Sequence, residues 1–295
     1  MRLSRRIIAP LITVGLCACG GTAQTTLSSA NVASHQTAPS GAARPTATLS
    51  PATTPRARVI VVDAEYVAGE LDYVETTIRS GDTEAVEFAA LGDRQQRAYH
   101  LLAAHPDWVP AVLADIPASV RSAVQDNLSA AQQIDTLNGS RSALPHWRIV
   151  APPSAEVLMG YYNEAQQASG APWQYLAAIN LIETNMGRIQ GLSSAGAQGP
   201  MQFMPATWAS YGRGDVNNPR DAILAAGRYL HTHGAPGDMN RAVYAYNPSW
   251  LYVRAVMLYA KQMFADSRAY LGYYNWQVYV QTTNGEVLLP EGFSG

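Results

Sequence analysis

The chain has 295 residues, of which 47% are hydrophobic and 14% are charged, and its formal net charge is −2. This composition is that of a globular protein somewhat poor in charge, and the length allows one large domain or two small ones. The near-neutral net charge argues against a nucleic-acid partner. No run of acidic residues indicates a site that binds metal ions or polycations.

The N-terminus has the pattern of a targeting segment. Three arginines within the first six residues precede the apolar run 7–16, which is too short to span a bilayer as a stable helix. The Leu-Cys-Ala-Cys-Gly stretch at 16–20 resembles a bacterial lipobox, in which cleavage occurs just before a cysteine that receives lipid. The resemblance makes 1–19 a lipoprotein signal peptide and Cys19 the lipidated residue. The alternative is an ordinary secretory signal with incidental cysteines.

Two regions follow the signal. Segment 20–58 is rich in Ser, Thr, Ala, Gly and Pro, cannot bury enough apolar surface to fold, and is predicted to be a disordered tether. Region 59–150 is predicted to be helical, without site chemistry, and Trp108 and Trp147 are assigned packing roles. Start and stop signals place helices in this region at 63–80, 82–104 and 117–137.

The signals for helix starts and ends, given by Pro, Gly and capping residues, become clearer after residue 150. The tail at 272–295 alternates apolar and polar residues before Asn284-Gly285, a type I′ turn signal, which predicts a small hairpin. Capping residues and prolines predict six helices, at 154–169, 172–187, 205–211, 219–233, 238–246 and 248–264.

Glu183 is a carboxylate inside the otherwise apolar helical run 178–188. Burial and the partial negative charge at a helix C-terminus both raise the pKa of a carboxyl group. A carboxylic acid still protonated near neutral pH is what a general acid needs. The alternative is a structural glutamate paired with Arg188 or Arg228, and this helix alone does not decide between the two. Helical spacing places four residues in one stripe along a face of the helix: Leu176, Ile179, Glu183 and Met186.

Three motifs occur in order: Glu183-Thr184, Gly-Pro-Met-Gln-Phe at 199–203, and Ala-Tyr-Asn at 245–247. They resemble, in order and spacing, the motifs of bacterial lytic transglycosylases with a lysozyme-like SLT domain, and the second is most similar to the membrane-bound B type. The resemblance implies a mainly α fold. It consists of a helical N-terminal region, a lysozyme-like catalytic domain at 151–271 and the small C-terminal β-hairpin.

The resemblance also implies roles for individual residues. Glu183 is the expected catalytic acid and base. Phe203 and Met204 are interpreted as core, and core packing is also the alternative for Met201. For Thr184 the alternative is a solvated helix residue, since threonine often bonds back to its own helix. Five residues are expected to bind substrate or shape its cleft: Thr184, Met201, Gln202, Tyr246 and Asn247.

The acids downstream of Glu183 have structural explanations: Asp215 as a turn residue, Asp221 in a first helical turn and Asp238 as an N-cap. Glycoside hydrolysis normally uses two carboxylates. The family's reaction uses one, because the C6 hydroxyl of the substrate closes on C1. The resemblance therefore implies cleavage of the β-1,4 bond between MurNAc and GlcNAc with formation of 1,6-anhydro-MurNAc ends.

Two other functions remain open at this point, a water-using muramidase of the same fold and a non-catalytic peptidoglycan-binding lipoprotein. His231 and His233 are two residues apart and diverge on a helix, so neither a metal nor a cofactor is expected. The expected partners are peptidoglycan glycan strands and, through the lipid on Cys19, a membrane. We expect a monomer in the bacterial cell envelope, exported and facing the wall.

Overall fold

A computed structural model describes residues 61–81 and 85–295. The predicted signal peptide at 1–19, with Cys19, and the linker at 20–58 lie outside these residues and stay predictions. No helix within the described ranges is both long and apolar enough to cross a bilayer.

The N-terminal region is helical, as predicted. Helix α1 begins after Asp63, whose side chain accepts a hydrogen bond from the backbone N–H of Tyr66, and it ends at Gly81, which has a φ of 85°. Helix α3 was not predicted; it follows a 3₁₀ turn at Pro106–Trp108 and has a proline in its first turn, where the missing N–H costs nothing. The helices are α1 Ala64–Ser80, α2 Ala85–Ala104, α3 Val109–Asp115 and α4 Ala118–Asn138.

The second half contains seven more helices, six of which were predicted. Helix α6 ends at Thr184 and not at Gly187, because Asn185 and Met186 have φ values of 51° and 62°. Met186 therefore does not continue the predicted stripe. The unpredicted helix is the short α11. The seven are α5 Ala155–Ser169, α6 Trp173–Thr184, α7 Pro205–Tyr211, α8 Pro219–Thr232, α9 Met239–Tyr246, α10 Trp250–Ala265 and α11 Ala269–Tyr274.

Two small antiparallel sheets complete the fold. Strand β1, Arg148–Ile149, pairs with β2, Ile189–Gln190, just after α6. Strands β3, Val278–Thr282, and β4, Gly285–Leu289, form the predicted C-terminal hairpin. The predicted type I′ turn is wrong. The register pairs Thr282 with Gly285, so the loop residues are Thr283 and Asn284, and the left-handed conformation falls on Gly285, whose φ is 109°.

One hydrophobic core joins helices from both sides of residue 150. Leu71 of α1 and Leu128 of α4 belong to the same buried cluster as Ile179 of α6 and Val256 of α10. Helix α4 packs directly against α10. The mainly α class with a small C-terminal hairpin is confirmed, whereas the domain boundaries stay predictions.

A buried ionic network ties the N-terminal helices to α11. Glu75 of α1 is fully buried, forms an ion pair with Arg79, and accepts hydrogen bonds from Tyr99 and, at 3.3 Å, from Nδ2 of Asn127. The hydroxyl of Tyr273 in α11 donates to Oδ1 of Asn127 at 2.5 Å. Because each charge is partnered, the network can be buried without an isolated ion.

Candidate active site

Glu183 lies one residue before the end of α6 and lines a cleft of about 920 Å³. Ile179 and Leu181 of the same helix are buried apolar side chains, and Glu183 itself is partly exposed at the cleft wall. Burial raises the pKa of Glu183 to about 7, although a hydrogen bond from Tyr252 partly opposes the shift. This group is therefore divided between its acid and base forms near neutral pH.

Among the described residues, the side chain of Glu183 has one hydrogen-bond partner. The hydroxyl of Tyr252, which is 1% exposed, donates to Oε1 of Glu183 at 2.6 Å. Neither arginine of the alternative interpretation pairs with it. Arg188 lies over the ring of Tyr274 at 5.2 Å, and Nε of Arg228 donates to the carbonyl of Tyr211 at 2.9 Å.

Thr184 faces away from the cleft and is fully buried. Its hydroxyl donates to the carbonyl of Pro200 at 2.6 Å and accepts from Nδ2 of Asn180 at 3.2 Å and from the N–H of Gly187 at 3.1 Å. Thr184 is thus not solvated, and its hydroxyl donates to the next loop. Thr184 positions the Gly-Pro-Met-Gln turn relative to the end of α6.

The Gly-Pro-Met-Gln turn is closed by two backbone hydrogen bonds between Gln198 and Phe203, of 2.9 and 2.8 Å. Gly199 has a φ of 70°, and a Cβ atom there would lie 1.9 Å from the carbonyl oxygen of Val216. Gln202 also has positive φ, 48°, and its Nε2 donates to the carbonyl of Gly199 at 3.0 Å. This strained conformation presents Gln202 to the cleft.

The remaining residues of this turn divide between core and cleft. The Met201 side chain is fully buried, so only its backbone is available near the site, and Phe203 is 3% exposed. Met204 is partly exposed and lines the cleft, so its assignment to the core is wrong. The reason is the break before α7, which turns residue 204 outward.

Tyr246 and Asn247 end α9 and line the same cleft. The hydroxyl of Tyr246 donates to the carbonyl of Met201 at 2.6 Å, which fixes α9 against the turn. Burial and then the charge of Glu183 raise the pKa of Tyr246 well above its ordinary value. Tyr246 thus lies near Glu183, but the hydrogen bond to the carboxyl group comes from Tyr252.

Residues 160–262 match the family model of the transglycosylase SLT domain. The chain contains a transglycosylase SLT domain. A curated relative, the membrane-bound lytic murein transglycosylase F of Thiobacillus denitrificans (strain ATCC 25259 / T1), is 37% identical over 73 residues, 25% of this chain. The aligned part spans only 15% of that relative's length. No solved structure matches the chain significantly.

The matched range contains Glu183, the Gly-Pro-Met-Gln turn, Tyr246 and Tyr252. The relative is of the F type, whereas the Gly-Pro-Met-Gln-Phe turn resembles the B type, so the type stays a prediction. Sequence analysis missed Tyr252. A tyrosine two residues into a helix with apolar neighbours at Val253 and Val256 was the available signal for a buried side chain.

The three acids downstream of Glu183 within the SLT domain have the structural roles predicted for them. Oδ1 of Asp215 accepts from the N–H of Asn217 at 2.9 Å, as in a turn. Asp221 lies in the first turn of α8, and Asp238 caps α9 through the N–H of Arg241. None of these three described residues lines the cleft.

The cleft extends beyond the SLT domain, so the prediction that region 59–150 has no site chemistry needs correction. His100 and Asp135 line it, and so does Glu286 of β4, whose Oε2 lies 2.8 Å from Nδ1 of His100. Burial raises the pKa of Asp135; His100 opposes the rise and Glu286 adds to it. Trp147 packs against the hairpin core and also lines this wall, with Arg141 lying over its ring at 5.3 Å.

The two histidines considered as ligands have separate environments. His233 stacks on Tyr229 at 4.1 Å, and its Nδ1 is 2.7 Å from the carbonyl of the same residue. His231 is exposed in the last turn of α8. Within 61–81 and 85–295, no group of three or more His, Cys, Asp or Glu side chains is arranged to hold a metal ion.

Proposed function

We propose that this protein is a peptidoglycan lytic transglycosylase that cleaves the β-1,4 bond between MurNAc and GlcNAc and leaves 1,6-anhydro-MurNAc ends. The observation that carries the proposal is Glu183, a cleft-lining carboxyl group in an SLT domain, with a pKa of about 7. The name of the relative, a lytic murein transglycosylase, supports the same reaction.

Glu183 serves twice in the proposed reaction. As an acid it protonates the glycosidic oxygen, and the GlcNAc side leaves as an alcohol while positive charge develops at C1 of MurNAc. As a carboxylate it then accepts the proton of the C6 hydroxyl, and O6 forms a bond to C1. The proton is returned and no water is consumed. A pKa near 7 suits both steps, because neither form of the group is strongly favoured at neutral pH.

The other predicted site residues divide into two roles. Gln202 and Asn247 line the cleft, so their amides can bind hydroxyl or acetamido groups of the glycan. Thr184 and Met201 are buried and act through position: the Thr184 hydroxyl holds the Pro200 carbonyl, and the Met201 carbonyl holds Tyr246. Tyr252 holds Glu183 itself.

A water-using muramidase is the second candidate, because Asp135 supplies another carboxylate to the same cleft. A hydrolase of this kind needs a second acid to activate water or to stabilise the sugar cation. The transglycosylase needs only Glu183. Replacing Asp135 with Asn therefore separates the two: the transglycosylase keeps its rate of bond cleavage, whereas an Asp135-dependent muramidase loses it.

The products test the proposal directly. Purified peptidoglycan is digested in ¹⁸O-labelled water, and the released fragments are treated with borohydride and analysed by mass spectrometry. We expect anhydro ends that resist reduction and carry no label, and no release by the Glu183→Gln variant. Labelled, reducible ends would establish the muramidase instead. Absence of soluble fragments from the wild-type protein would support the non-catalytic binding protein.

We also propose that the protein is exported and anchored to the membrane by lipid on Cys19, as a monomer facing the wall. The support is the Leu-Cys-Ala-Cys-Gly stretch at the end of an apolar run. Metabolic labelling with a fatty-acid analogue should mark the wild-type protein and not Cys19→Ser, and the variant should leave the membrane fraction. Equal labelling of both would refute the assignment.

A further inference from the structure

A second, smaller cavity of about 260 Å³ lies where α5, α7 and α8 end. It is separate in its lining from the cleft of Glu183. Its lining includes two arginines, Arg213 and Arg228, and one histidine, His231, and no aspartate or glutamate lines it.

The two arginines have unused donors. Nε of Arg228 donates to the carbonyl of Tyr211, the last residue of α7, but its Nη2 is buried and has no hydrogen-bond partner among the described residues. Arg213 is exposed in the loop after α7 and forms no ion pair with another residue of the described ranges. Buried polar groups are nearly always partnered, so an orphaned guanidinium nitrogen points to a missing acceptor.

The charges at this cavity are unbalanced. Burial and then the charge of Arg213 lower the pKa of Arg228, and the opposing effect of Asp221 is smaller than either. Helix C-termini carry partial negative charge, which explains why cations collect where three helices end. The repulsion from Arg213 nevertheless lowers the pKa of Arg228 more than the attraction of Asp221 raises it.

We propose that this cavity binds an oxyanion, a carboxylate or a phosphate, between Arg213 and Arg228. Planar guanidinium groups bind both kinds of anion through paired hydrogen bonds. His231 lines the same cavity and can add a third donor when protonated. Nη2 of Arg228 has almost no accessible surface, so the guanidinium group must turn for this nitrogen to donate to the anion.

The site adjoins the aromatic wall of the cleft. The ring of Tyr211, which lines the cavity, contacts the ring of Tyr229 at 4.9 Å, and Tyr229 lines the cleft and contacts Tyr246 at 5.4 Å. An anionic group on a large wall polymer can therefore reach the cavity from beside the cleft. Anion binding at this cavity is independent of the proposed reaction, because it is measured without bond cleavage.

The test uses the full chain and three probes: inorganic phosphate, an N-acetylated dipeptide with a free terminal carboxylate, and the same dipeptide as its amide. Binding is followed by NMR through the arginine Nε–H signals. We expect saturable, salt-sensitive binding of at least one anion in the millimolar range, and no binding of the amide. Arg213→Gln should weaken it at least fivefold. Arg254→Gln, an exposed arginine on α10, is the matched control and should leave it unchanged.

The probes also distinguish the possible sources of the anion. Binding of the free dipeptide indicates a peptide carboxylate, and binding of phosphate alone indicates a phosphate ester; both support the site. Arg213→Lys should be intermediate, because it keeps the charge and loses the planar fork. The proposal is overturned if neither anion shifts the signals of Arg213 and Arg228, or if Arg213→Gln binds as tightly as Arg254→Gln.

Discussion

The hydroxyl of Tyr252 donates a 2.6 Å hydrogen bond to Oε1 of Glu183, which joins the end of α6 to the first turn of α10. Burial, followed by the charge of Glu183, raises the pKa of Tyr252 well above its ordinary value, so this phenol stays a donor at neutral pH. A neutral donor orients the carboxyl group without cancelling its charge. Glu183 is therefore held in place while its pKa remains raised.

Replacing Tyr252 with Phe should move the alkaline limb of the kcat/KM profile to higher pH. The hydrogen bond favours the charged carboxylate and lowers the pKa of Glu183, so its removal raises that pKa further. Since the acid must be protonated to act, activity persists to higher pH, at a maximum about tenfold lower because orientation is lost. The measurement is kcat/KM between pH 5 and 9.

The control is Tyr259→Phe, on the same helix without a hydrogen bond to Glu183, which should keep the wild-type profile. Identical pH profiles for the two variants would contradict the role of Tyr252.

Glu183→Gln should lower the rate of glycan cleavage by about 10³-fold, in the range expected for loss of a general acid. Glutamine has nearly the same shape, and its oxygen can still accept from Tyr252, so the fold should persist. The rate is measured by release of soluble fragments, with circular dichroism as a check on the fold. The control is Glu164→Gln, which removes an exposed carboxylate that pairs with Arg220. Substantial activity in the Glu183 variant would place the acid elsewhere.

The same substitution should change the dependence of stability on pH. The pKa of Glu183 is about 7 in the folded state and about 4.5 ordinarily, so between these values the folded state binds more protons than the unfolded state. Wild-type stability from this group is therefore present below pH 4.5 and is lost as pH rises through 7. Glutamine does not titrate. Relative to wild type, the variant should gain about 2 kcal/mol of unfolding free energy between pH 5 and 8. Urea unfolding at the two pH values measures it, and a constant difference would show that the pKa is not raised.

Features set by local sequence were predictable, and those set by distant contacts were not. Asp63, Ser154 and Asp238 cap helices through the N–H three residues on, so their patterns located the helix starts. The apolar surroundings of Glu183 likewise predicted its raised pKa. Its partner Tyr252 is 69 residues away in sequence, and no local pattern links the two.

The same distinction explains two other differences. Thr184 was expected to shape the cleft, but the Pro200 carbonyl that its hydroxyl reaches lies in a separate loop. The wall formed by His100 and Glu286 brings together residues from opposite ends of the described chain. Neither pairing leaves a periodic signal in the sequence, because each depends on how the elements pack together.

Thr184→Val should destabilise the protein by about 2 kcal/mol, because buried hydrogen-bonding groups lose their partner. The Pro200 carbonyl loses its hydroxyl donor, and the N–H of Gly187 loses its acceptor. The turn that carries Gln202 should loosen, and KM should rise. Thermal unfolding and steady-state kinetics measure the two effects. Thr184→Ser keeps the hydroxyl and should restore most of both; a valine variant equal to the serine variant would assign the residue to packing alone.

Gly199→Ala should destabilise the protein by about 3 kcal/mol or more and abolish most activity. Its φ of 70° disfavours any side chain, and the added Cβ would lie 1.9 Å from the backbone oxygen of Val216, which cannot rotate away. To relieve this clash the turn must move, and with it Gln202 and the Met201 carbonyl that holds Tyr246.

Gly196→Ala is the matched control. The φ of Gly196 is 84°, but a Cβ there meets nothing within 4 Å, so the substitution should lower the free energy of unfolding by only about 1 kcal/mol and keep activity. Equal unfolding free energies for the two variants would show that the close approach of Val216 does not constrain the turn.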